Sequence, residues 1–190
     1  MTAAGYTHLV MDARQTYILD QIHQARNQLL AAVEGLETKS LSTEIIVGNW
    51  TAKDILGHVV SWGDEFNADA EAILGGRHPG YEHVIRADDD FNEWNQAQAA
   101  TKRAWTWRRM HADFDRYCHA TTRFIERLQP GDLRKRGVTP WIRAAVSHPA
   151  SLSRTDTESV ETLMKFHYRH MFDHARMLER WSRARSRKRA

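Results

Sequence analysis

The chain has 190 residues, of which 42% are hydrophobic and 27% charged, so it suits one globular domain with a sizeable core and is not a disordered chain. The formal charge is +3, but Arg183, Arg185, Arg187, Lys188 and Arg189 put five positive charges in the last eight residues, which leaves −2 on the body. A nucleic-acid binder needs a basic face interleaved with aromatics on the folded body; none is legible, and no nucleic-acid partner is expected.

In chain order, Met1 to Val10 lacks the basic start and apolar run of a signal peptide, and no segment reaches the ~20 apolar residues that span a bilayer. A cytoplasmic location without a membrane partner is expected. From Thr7 to Leu36, residues Val10, Tyr17, Ile18, Ile22, Ala25, Leu29 and Val33 recur at helical spacing, and Gly35 is a stop. Leu36 to Asn49 reads as a loop. A second helix starts at or just before Thr51, carries Ile55, His58, Val59, Trp62, Phe66, Ala70 and Ile73 on one stripe, and ends at Gly75-Gly76.

After a polar connection, Asp88 to Asp90 place negative charge at a helix start. The helical pattern from Phe91 to Leu128 is too long for one unbroken helix, and Thr106 is a candidate N-cap. The stretch therefore divides into a short helix over 90–103 and a long one over 107–128. Cys118 lies on the apolar stripe of the latter and reads as a small buried residue; with no second cysteine, no intrachain disulfide can form.

Residues 132–154, with Pro140 and Pro149, read as a long irregular connection. No alternating strand is expected, since the run at Val138 is short and holds Pro140. The last helix spans 157–182. The domain is thus 1–182, all-α, a four-helix bundle with a short extra helix and a long loop before the last helix; 183–190 form a basic, disordered tail.

The last helix carries the informative anomaly. With His170 at 0°, His174 falls at about 40°, His167 at about 60° and Leu163 at about 20°, while Lys165, Arg169, Arg176 and Arg180 lie at about 220–280°. The histidines therefore share the apolar face, where an unpartnered imidazole costs a few kcal/mol. His58 repeats this on the second helix. Two histidines at i and i+4 with a third from a facing helix form a metal-binding set, His58, His170 and His174, that leaves positions open to water or substrate. His167 stands ~10 Å of rise from His174, too far for both to bind one ion, and is read as supporting a ligand from behind or facing substrate. Asp54 is a candidate orienter of a ligand imidazole, with helix capping the stronger role. Trp62 and Tyr168 are further candidates around the site, and Trp141 a lid residue. His8, His23, His78, His83, His111, His119 and His148 read as surface or loop residues.

The run NWTAKDILGHVVSW over 49–62 resembles the WTxKDxLxHxxxW signature of the DinB/YfiT-like superfamily. The segment 166–181, FHYRHMFDHARMLERW, resembles that superfamily's last helix, and 79–81 and 91–95 are similar to its ClbS/DfsB branch. The resemblance implies an up-down-down-up bundle, often a homodimer, with nickel or zinc held by residues matching His58, His170 and His174. It also implies a small-molecule substrate and, in some members, a low-molecular-weight thiol cosubstrate. The expected function is a metal-dependent hydrolase or thiol-dependent transferase acting on a small electrophilic molecule in stress or detoxification. The alternatives are a metal-free ClbS/DfsB-type hydrolase or sequestering resistance protein, and a non-enzymatic helical interaction module.

Overall fold

The computed structural model describes residues 11–77, 88–138 and 157–189. The first helix, α1 (Ala13–Val33), begins later than its apolar pattern. Asp12 accepts from Arg14 N and Gln15 N while Gln15 Oε1 takes Asp12 N, a reciprocal capping box. A six-residue α2 (Thr38–Thr43) follows where the sequence reads as loop. Then come α3 (Ala52–Leu74), α4 (Asp88–Lys102) and α5 (Trp107–Glu126). Thr106 caps α5 through Arg109 N at 3.2 Å, so the division of the 91–128 pattern falls where its cap predicts.

A 3₁₀ turn over Asp132–Arg134 leads into β1 (Arg136–Val138), which pairs antiparallel with β2 (Thr157–Ser159). This two-stranded ribbon corrects the expectation of no strand. Three residues a side are too few to show alternation, and the pairing spans a sequence gap that local patterns do not register. The last helix, α6 (Val160–Arg189), also corrects the sequence pattern, which ends it near Ser182. Arg185 explains the extension: its guanidinium pairs with Glu44 at 3.0 Å and with Ser40 Oγ, and cations are favoured at a helix C-terminus.

Contacts between the long helices fix the topology. Arg14 pairs with Glu161 near the start of both α1 and α6, so these run parallel. Asp64 meets Arg116 and Asn67 meets Thr121, so α3 and α5 run parallel. His58 meets His170 while Phe66 meets His167, so α3 and α6 are antiparallel. The result is an up-down-down-up four-helix bundle with α4 laid against the outer face of α3. Its core joins Ile18, Ile22 and Leu29 of α1 to Ile55, Val59 and Phe66 of α3, Phe114 and Tyr117 of α5, and Leu163 and Met171 of α6. At Gly63 the ring of Tyr117 lies so close that a Cβ would collide with it, which lets α5 seat against α3.

Candidate metal centre

The phase of α3 is set at its first turn. Thr51 Oγ1 accepts from Asp54 N at 3.2 Å, and the Asp54 carboxylate accepts from Thr51 N at 2.9 Å and Thr51 Oγ1 at 2.7 Å. Asp54 is therefore engaged in capping, one turn before His58. The antiparallel crossing of α3 and α6 then brings three imidazoles together. His58 Nε2 lies 2.9 Å from His170 Nε2, which lies 3.0 Å from His174 Nε2, and all three ligand atoms are within 4.8 Å of one another.

Hydrogen bonding alone does not satisfy this cluster. A neutral imidazole nitrogen offers either one N–H or one lone pair. His170 Nε2 has two nitrogen neighbours and so completes at most one of the two contacts as a hydrogen bond. The Nδ1 atoms of all three rings are buried without a protein partner. A divalent cation would accept all three Nε2 lone pairs at once, so the donor set fits a His₃ metal site.

Electrostatics keep those lone pairs free. His58 is held well below the ordinary imidazole range by burial, then by His174 and by the Lys102 ammonium, with nearby Asn95 acting weakly the other way. His170 is lowered by burial and by His174, His58 and His167. His174 is brought to about 4 by burial, against Asp173. All three are neutral at pH 7, the state in which imidazole binds metal.

Aromatic rings surround the cluster. Trp50 lies 4.8 Å from the His58 ring, and Trp62 lies 6.5 Å from both His58 and His170. Trp62 is fixed by Nε1 donating to Asn95 Oδ1 at 2.8 Å and by packing on Trp94 and Phe91 of α4. His167 is not among the converging rings. It is fully buried, hydrogen-bonded to Tyr117 Oη and stacked 5.4 Å from Phe66, with burial lowering its pKa to about 3. Tyr168 points away, its ring 6.4 Å from Tyr17 of α1.

Of the remaining sequence candidates, His23 and His119 are exposed and His111 pairs with Asp115 at 3.2 Å. Trp141, His8, His78, His83 and His148 lie outside the described residues. Cys118 is buried, which pushes its thiol up to about 12 and leaves it unreactive. Asn95, the Trp50 contact and Lys102 were not legible as site residues, because each reaches His58 or Trp62 from a separate element. Lys102 donates to Gly57 O at 3.0 Å and to Ser61 Oγ, on the turn that holds His58.

A model of the DinB superfamily matches residues 21–178. No curated protein matches the chain. Among solved structures, a Streptococcus pneumoniae protein is similar at 12% identity and a TM-score of 0.70, with 92% of this chain and 93% of that chain covered. An uncharacterised protein from Clostridium difficile 630 gives 12% and 0.70, covering 92% and 98%. The colibactin self-resistance protein ClbS, solved in complex with a dsDNA, gives 10% and 0.69, covering 89% and 95%. At these identities the likeness is one of fold.

Proposed function

The chain belongs to the DinB superfamily, and we propose that it is a metal-dependent enzyme acting on a small electrophilic molecule, with His58, His170 and His174 as the metal ligands. The observation that carries this reading is the convergence of three neutral Nε2 atoms on one point, with spacings of 2.9 and 3.0 Å. When bound, a divalent ion such as zinc or nickel would supply Lewis acidity toward an electrophile, or toward a water or low-molecular-weight thiol that attacks it.

The chain's own residues supply the rest. The three imidazoles keep their lone pairs because burial and mutual repulsion resist protonation. Trp50 and Trp62 shield the cluster from water, which strengthens electrostatic interactions within it. Asn95 locks Trp62, and Lys102 adds positive charge beside His58, which disfavours a cationic substrate there. The hydrolase and thiol-transferase versions share this frame and differ in the nucleophile.

Metal analysis of the purified protein and titration with zinc, nickel and manganese test the reading. Wild type is expected to take up one ion per chain, and His170→Ala, which removes the ligand between the other two, to lose at least about 100-fold in affinity. Uptake no greater than background, or equal uptake by His170→Ala, would sink the metal assignment.

A further inference from the structure

Three stretches distant in sequence meet at one end of the bundle, and α2 joins them. Ser40 and nearby Glu44 hold Arg185 of α6. Leu41 lines a cavity with Trp107 and His111 of α5. Ser42 and Thr43 line another with Lys53 and Arg103. This end therefore gathers residues 34–54, 102–111 and 179–189, which hold twelve Lys and Arg against five Asp and Glu. The resulting +7 leaves −4 on the rest of a chain whose total is +3.

Two of these cations stand at a helix start, one of them, Arg109, stacked 4.0 Å over the Trp105 ring. Arg108 and Arg109 stand in the first turn of α5, where no acidic residue is present and the helix dipole disfavours a cation. Arg103, Arg108 and Arg109 are exposed, and among the described residues no carboxylate pairs with them.

Two exposed aliphatic side chains stand at this end, on the loop whose Asn49 shares a cavity with Arg103. Ile45 and Val47 are 55% and 46% exposed, two of the three exposed large hydrophobics among the described residues. Their loop is a fixed turn, with Ile46 N donating to Trp50 O at 2.8 Å and Trp50 N to Val47 O at 2.9 Å. Glu44 with its Arg185 partner borders the loop on one side, and Arg103 faces Asn49 across a cavity on the other. A nucleic acid would gain from the arginines but little from aliphatic tips, and a second copy of this end would meet its own charge. A lipid surface gains from both features, because aliphatic and indole groups enter its interface and cations meet its phosphates.

We infer that this end of the bundle docks reversibly on an anionic lipid bilayer. Ile45 and Val47 enter the headgroup–acyl boundary, while Arg103, Arg108 and Arg109 lie against lipid phosphates. No described helix is long and apolar enough to cross a membrane. The same loop carries Trp50 over His58, so the docking face adjoins the cover of the histidine cluster.

Co-sedimentation of the full chain with phosphatidylcholine vesicles, with and without phosphatidylglycerol, tests this directly. Binding is expected only with the anionic lipid and should weaken as salt rises. Each arginine changed to alanine among Arg103, Arg108 and Arg109 should weaken it about fivefold. The uncharged pair Ile45→Ser with Val47→Ser should also weaken vesicle binding, with the helical signal and melting temperature retained. No binding to anionic vesicles, or serine variants that bind like wild type, would overturn the proposal. So would tighter binding to a duplex oligonucleotide than to vesicles at equal salt, which would assign the surface to nucleic acid.

Discussion

His167 shows how one side chain can share a helix face with a site and still serve another purpose. Its ring is fully buried, bonded to Tyr117 and stacked on Phe66, and burial holds its pKa near 3. An unfolded chain takes up a proton at a histidine near pH 6.5, whereas this folded one does not until far lower. Between those values the unfolded state binds more protons, so stability falls as pH falls through the window. His58, His170 and His174 act in the same direction. His167→Leu should therefore lower stability at pH 8, through loss of the Tyr117 hydrogen bond, yet lose less than wild type on going to about pH 4. Urea denaturation at several pH values would show this as two curves that converge in acid; parallel curves would mean that His167 does not titrate as its burial implies.

At the scale of elements, the long helices were legible because each carries an apolar stripe, and some carry an end signal as well. Thr106 marked one start as a cap and Gly75-Gly76 one end, while the start of the second helix was placed at Thr51 without its capping box. Other elements lack such marks. With only Ser40 and Leu41 buried, α2 is too short for a period, and the β1–β2 pairing depends on residues about twenty apart. The end of α6 depends on a tether to Glu44 that only the folded chain brings near. Asp54 had two readings from sequence, and its carboxylate engages Thr51. Asp54→Asn should thus weaken the cap of α3 by up to about 1 kcal/mol, lowering the melting temperature by a few degrees. Metal affinity should stay within about threefold of wild type, whereas loss of a carboxylate that orients a ligand histidine costs about 10–100-fold. Parallel melting and metal titration of this variant separate the two roles.

For the molecule as a whole, the histidine register on α6 was readable one helix at a time, but convergence depends on how α3 crosses it. The helical phase of His170 and His174 and the apolar flanks of His58 identified the three residues. Trp50, Asn95 and Lys102 had no comparable signal, since an aromatic, an amide or a lysine is common and only the packing of α4 on α3 brings the latter two close. That packing has a consequence for stability. Two of the three imidazoles lie on α6 and one on antiparallel α3, so an ion held by all three would join the first and last long helices of the 52–189 span. The separation of these helices in sequence makes the unfolded chain a poor competitor for the ion, and binding energy then appears as folding energy. Free metal at about 100 times its dissociation constant should stabilise the fold by roughly 2.7 kcal/mol. For a chain of this length that corresponds to a rise of about 5–10 °C in melting temperature. The rise should vanish with chelator and in His58→Ala as well as His170→Ala, since one ligand comes from each side of the crossing. A melting temperature that rises equally in His58→Ala would place the ion on α6 alone and remove α3 from the site.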